Sequence, residues 1–109
     1  MAVDIKVWLA DVKQAIDEIN SFLDQERDFS KFKKDIKTRR AVERNLEIIG
    51  EAINRILEAE PQTAITNARK IVDTRNRIIH GYDTVSYEIL WAIIVRDLPL
   101  LDKEITRML

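Results

Sequence analysis

The sequence predicts an all-α protein: an up-and-down antiparallel four-helix bundle, with room for a short extra helix between helices 1 and 2. Three observations lead there. Only two Gly and two Pro occur in 109 residues, whereas strand-rich chains need turn residues about every 8 to 12 positions. Apolar residues recur at alternating spacings of three and four, the period of one helical face. The connections between these stretches are short, as antiparallel neighbours in a bundle require.

The first helix carries Ile5, Leu9, Val12, Ile16, Ile19 and Leu23 on one stripe, with Trp8, Ala15 and Phe22 on a neighbouring line seven apart, so a broad buried face is expected. Asp28 to Lys37 is the least regular link and has space for a short extra turn capped by Ser30. The second stripe runs through Val42, Leu46, Ile49, Ile53 and Ile56 and ends before Pro61. Pro61 suits the first turn of a third helix, where its missing N–H is not needed. That helix reads Ile65, Ala68, Val72, Arg75, Ile79 and should stop near Gly81. Thr84 or Ser86 can cap the fourth, with Glu88 in its first turn. Its stripe is Leu90, Ile94, Leu98, Leu101, Ile105 and Met108, with Pro99 inside the pattern and expected to kink it.

Composition bounds the chemistry. Residues 1–109 read as one domain, without repeats or linkers. A domain this small buries about two-thirds of its unfolded surface, enough for one core. The absence of Cys excludes disulfides and thiolate metal sites and suits a reducing compartment. A single His excludes any constellation needing two histidines from one chain. The longest apolar run, Ile89 to Val95, is far short of the roughly 20 residues of a spanning helix. Asp4 and Lys6 interrupt the apolar character that an export signal would need. A soluble, cytoplasmic protein with no membrane association is expected.

Three residues depart from simple bundle packing. Arg75 occupies the apolar stripe of the third helix, where its permanent charge needs a carboxylate, a phosphate or water. Taken alone, it is best explained as an arginine that snorkels, or that pairs with Glu47 or Glu51. His80, the only histidine, falls five residues later at the helix end, where a surface or capping role is the ordinary one. Gly50 interrupts the second helix at a cost of about 1 kcal/mol relative to Ala. It allows either a tight helix crossing or the close approach of a ligand.

Together, however, Arg75-Asn76-Arg77-Ile78-Ile79-His80-Gly81-Tyr82 reads Arg, four residues, His, one residue, Tyr at a helix end. This resembles the HEPN superfamily, specifically the HepT-like toxins of prokaryotic toxin–antitoxin pairs, whose motif is Arg-x4–6-His extended to His-x-Tyr. Asn76 matches the polar residue that commonly follows the motif Arg. Arg40 to Ala52 is similar to the second-helix signature of that branch, as are Ile89-Leu90-Trp91 and Asp97-Leu98-Pro99 in the last helix. The resemblance covers essentially the whole chain.

The residue types suit RNA cleavage. RNA carries its own nucleophile, the 2′-OH, so the reaction needs proton transfers and positive charge beside the phosphate rather than a metal. An imidazole titrating near neutrality contributes about 10² to 10⁴ in rate by proton transfer. Arginine's planar fork stabilises charge on the non-bridging oxygens. His80 and Arg75 are thus the candidate catalytic residues, with Asn76, Tyr82, Glu47 and Glu51 in supporting positions. No cofactor and no metal are expected.

The resemblance implies a homodimer in which two motifs share one cleft. It also implies a cognate minimal nucleotidyltransferase antitoxin that inactivates the toxin by transferring AMP to the motif tyrosine, here Tyr82, in a type VII-like system. Net charge is −1, yet the stretch after Asp28 is basic. Lys34, Lys37, Arg39, Arg40 and Arg44, with Arg77, are candidates for an RNA path, a solvated charged face being the alternative. Two other functions compete with the nuclease. One is a non-catalytic HEPN-type nucleotide- or substrate-binding partner of a nucleotidyltransferase. The other is a plain helical dimer whose motif only caps a helix.

Overall fold

The computed structural model describes residues 3–80 and 85–109. Among them lie the helices α1 (Val3–Phe22), α2 (Phe29–Lys34), α3 (Ile36–Ala59), α4 (Ala68–His80), α5 (Tyr87–Ala92) and α6 (Leu98–Met108), the last two joined through the π-helical turn Ile93–Asp97. The fold is an all-α bundle whose four long units are α1, α3, α4 and the α5–π–α6 rod, with α2 as the short additional helix. Helix α3 is central, packing broadly on both α1 and α4, while α6 closes on α1. Among the described residues, no helix is long and apolar enough to cross a membrane.

The α1 stripe Ile5, Leu9, Val12, Ile16 and Ile19 is buried to 1% exposure or less. The broad neighbouring line does not extend to the helix end: Ala15 is buried and Trp8 partly so, but Phe22 is 39% exposed. Asp28, rather than Ser30, caps α2, its carboxylate accepting from Lys31 N–H at 3.2 Å. Asp28 has the extended backbone that an N-cap requires, while Ser30 already lies inside the helix. Asp35 then ends α2 and starts α3, accepting from the Thr38 hydroxyl at 2.6 Å and its N–H at 3.0 Å. These two bonds hold the Asp35 carboxyl below its usual range. In α3, Val42, Leu46, Ile49, Ile53 and Ile56 face the core. Buried Asn45 ties α3 to α1 by donating to the Ala15 carbonyl at 3.3 Å and Glu18 Oε1 at 3.1 Å.

The third long helix begins at Ala68, not at Pro61. The Thr63 N–H and hydroxyl both turn back onto the Glu60 carbonyl, at 3.0 and 2.8 Å, and close a tight turn in place of a helical start. Thr66 is then held to α6 by Glu104, whose oxygens accept from its N–H at 3.1 Å and its hydroxyl at 2.8 Å. Asn67 takes φ 61°, a region that asparagine tolerates. Ile65 still fills the core, from outside the helix.

Ser86 caps α5, accepting from Ile89 N–H at 3.1 Å; Thr84 lies outside the described residues. The expected disturbance at Pro99 takes the form of a π turn just before it. Pro99 has no N–H, and its ring would strike the carbonyl four residues back. The turn widens instead, and Leu98 N–H reaches the Ile93 carbonyl. Leu90, Ile94, Leu98, Leu101 and Ile105 stay on the core side throughout. Phe32 of α2 meets Trp91 at 5.3 Å and Tyr87 at 5.9 Å between ring centres, docking α2 on α5.

Candidate active site

Helix α4 runs back along α3. Gly50 lies against Ile71 and Arg75, while Arg39, three turns earlier on α3, reaches Val85 beyond the end of α4. Gly50 is required by the close approach of α4 at residue 75. A Cβ at position 50 would sit 2.3 Å from the Arg75 Cβ, 2.8 Å from its Cγ and 3.4 Å from the Ile71 carbonyl oxygen. Of the two readings of this glycine, the tight helix crossing is the one present.

The same contact explains an arginine on the core stripe. Its stem is pressed between helices, its Nε is buried without a hydrogen-bond partner, and its fork emerges to charged and polar partners. Arg75 donates to Glu51 Oε2 at 2.6 Å and to Asn76 Oδ1 at 2.9 Å. Glu51 also accepts from Arg55 Nε at 3.0 Å, one helical turn away. Glu47 pairs instead with Arg44, at 3.1 Å. Arg75, Asn76 and Glu51 are therefore brought together, and Glu47 borders the same shallow groove without touching Arg75. Trp8, Asp11, Ile48, Arg55 and Ile79 complete that groove. Ile79, expected inside, is 47% exposed.

His80 is the last residue of α4 and is exposed. A helix advances about 100° and 1.5 Å per residue, so five residues set His80 roughly 140° around and 7.5 Å along the axis from Arg75. Asn76, bonded to Arg75, lies one turn before His80. Tyr82 and Gly81 lie outside the described residues. Among the described residues, no group of three or more His, Asp or Glu side chains is placed to hold a metal ion.

Of the basic residues, Lys37, Arg40 and Arg44 form one exposed stripe on α3, at spacings of three and four, that leads into the groove beside Arg75. Lys34 on α2 and Arg77 on α4 are also exposed. Arg39 stands apart from the stripe: its side chain is 13% exposed and points inward. Lys70 pairs with Asp97 at 2.9 Å, joining α4 to the π turn. Sequence reasoning missed Trp8, Asp11 and Arg55 as groove residues. Only Arg55 had a readable signal, four residues after Glu51.

Comparison with known proteins places this geometry in a family. The family described as "Ribonuclease HepT-like" matches residues 12–108. A Methanocaldococcus jannaschii protein named "Putative RNase MJ0127" is 33% identical over 110 residues, covering 97% of this chain and 88% of its own. "Probable ribonuclease HepT" of Thermococcus cleftensis is 36% identical over 100 residues, covering 88% and 87%. "Putative RNase TTE0752" of Caldanaerobacter subterraneus is 35% identical over 82 residues, covering 74% and 73%. No solved structure is a significant match. An α-helical bundle with Arg75 held at an α3–α4 crossing and His80 ending α4, matched along nearly its whole length, belongs to the HepT-like ribonuclease family of the HEPN superfamily.

Proposed function

We propose that this protein is a metal-independent endoribonuclease, the toxin of a toxin–antitoxin pair, acting as a cytoplasmic homodimer. The observation that carries the reading is Arg75, a partly buried arginine whose fork is held by Glu51 and Asn76 at the edge of a groove, five residues before His80 on the same helix.

In the reaction, the RNA 2′-oxygen attacks the adjacent phosphorus as its proton passes to a base. The bond to the 5′-oxygen breaks and that oxygen takes up a proton, leaving a cyclic phosphate and a free 5′-hydroxyl. His80 serves one proton transfer, and His80 of the partner subunit serves the other. Arg75 stabilises the charge that grows on the non-bridging oxygens. The groove supports a two-fold contact. It joins the exposed Ile79 and the partly buried Trp8 and Ile48 with Asp11, Glu47 and Glu51 opposite Arg44, Arg55 and Arg75. A surface of balanced charge can meet its own copy.

The stripe Lys37, Arg40 and Arg44 guides the RNA backbone towards this groove, with Lys34 and Arg77 at its flanks. A cognate minimal nucleotidyltransferase inactivates the enzyme by transferring AMP from ATP to the Tyr82 hydroxyl, with pyrophosphate leaving and the phenolic proton released. The other tyrosine, Tyr87, is partly buried, with its ring under Arg39 and edge-on to Phe32. The test compares wild type with His80→Ala for RNA cleavage and growth arrest. Loss of both with an unchanged melting temperature supports catalysis by His80, and retained cleavage overturns it. In the same cells Tyr82→Phe should abolish nucleotidyl modification; modified peptide found at Tyr87 alone would reassign the target.

A further inference from the structure

Arg39 was grouped by sequence with the exposed basic residues, but its surroundings are those of an anchor. Its Nη2 donates to the Val85 carbonyl at 2.7 Å and lies 3.5 Å from Glu43 Oε2. Its guanidinium carbon stands 4.1 Å over the Tyr87 ring centre, a cation–π contact. Arg39 and Glu43 are only 13% and 14% exposed, so the pair is sheltered from salt and solvent. Phe32 of α2 meets the same Tyr87 ring in an edge-on contact, 5.9 Å between centres. Helix α3 thus grips the chain on both sides of His80: Gly50 and Glu51 hold Arg75 five residues before it, and Arg39 holds Val85 five residues after it.

We infer that Arg39 is a positioning residue for Arg75 and His80, fastening Val85–Tyr87 to α3, the helix that also holds Arg75. Arg75 and Val85 are thereby held to one helix, α3, at positions five residues before and five after His80. Arg39 does this with three directed contacts that lysine cannot reproduce together, because they use the planar face and the edge of the fork at once. The kinetic half of this inference rests on the nuclease reading; the structural half does not.

The experiment uses the full-length protein, with Arg39→Gln, Arg39→Lys and the more conservative contact deletion Tyr87→Leu. RNA cleavage is followed across salt concentrations, and amide hydrogen exchange across the chain. A positioning role predicts a fall in kcat of about ten- to a hundredfold for Arg39→Gln, with KM and its salt dependence unchanged. It also predicts exchange at Ser86 to Leu90 at least about tenfold faster, against little change in α1 and α6. Arg39→Lys should fall between, and Tyr87→Leu should show the same local exchange if Arg39→Gln does not fold. A risen KM with the salt slope lowered by about 0.7 and kcat kept would make Arg39 a phosphate contact and overturn the inference. Unchanged exchange at Ser86 to Leu90 would overturn it as well. If wild type cuts no RNA, the nuclease reading fails and exchange alone decides the role of Arg39.

Discussion

Replacing Gly50 by alanine sets two opposing physical effects against each other at one position. Alanine in a helix interior is favoured over glycine by about 1 kcal/mol, so propensity alone predicts stabilisation. Packing predicts the reverse. The added methyl would lie 2.3 Å from the Arg75 Cβ, an atom fixed to the α4 backbone that cannot swing aside as a side-chain tip can. The contact must open by roughly 1 Å before it becomes ordinary, and overpacking of this kind costs about 1–3 kcal/mol. With the contact this short, the upper half of that range applies, and a net loss of about 1–2 kcal/mol is expected. Thermal melting followed by far-UV circular dichroism should then fall by about 4–8 °C. Cleavage of RNA should fall further than the folded fraction, because Arg75 is pushed away from the 2.6 Å contact with Glu51. A second substitution isolates the cause. Arg75→Ala retains the offending Cβ and should not relieve Gly50→Ala, whereas Arg75→Gly removes it and should show a favourable coupling of about 1 kcal/mol or more in a double-mutant cycle. A melting temperature equal to or above wild type for Gly50→Ala would refute the reasoning, since helix propensity would then outweigh the crossing.

Other predictions concern the supports of the bundle. Asp97→Asn should destabilise by about 1–2 kcal/mol, because a carboxylate only 7% exposed loses its ion pair with Lys70, which leaves the ammonium without its counter-charge. A cycle with Lys70→Met that proved additive, by urea unfolding, would show that the pair contributes nothing. Lys13 bonds Asp102 of α6 and, secondarily, Asp17, and both raise its pKa above the ordinary lysine value of 10.5. A raised folded pKa contributes stability that is complete below the ordinary value and lost as pH climbs through the folded one. On the alkaline side, wild type should therefore keep its advantage over Asp102→Asn until above about pH 10.5; a difference that vanished between pH 6 and 9 would contradict this origin.

Much of the fold was legible because helical faces repeat with a known period. The stripes of α1, α3 and the α5–π–α6 rod are buried, except that the last members Leu23 and Met108 are only partly so, and Ser86 caps where a short polar side chain precedes an apolar run. Pro99 was legible as a disturbance, since its missing N–H is a property of the residue itself. The start of α4 was not. Pro61 is compatible with a first helical turn, but Thr63 bonds the Glu60 carbonyl and Glu104 of α6 captures Thr66. Neither competitor has a signature in local spacing. The cap of α2 slipped by two residues for a similar reason, both Asp28 and Ser30 being good caps until the backbone decides which is extended.

At the site, the sequence by itself determined that an arginine lies on a core stripe, that the only histidine follows it at the helix end, and that Glu47 or Glu51 is near enough in pattern to answer its charge. Tertiary structure decided the rest. Glu51 rather than Glu47 takes Arg75, Gly50 is the space its stem occupies, and Arg39 leaves the basic stripe to hold Val85. The physical reason is common to all three. A period fixes the angle of each side chain around its own helix, but not the rotation and slide of one helix against another. A shift of one residue along α3 moves a side chain by about 1.5 Å and 100°. That distance separates an ion pair from a neighbour and an RNA contact from an internal clamp.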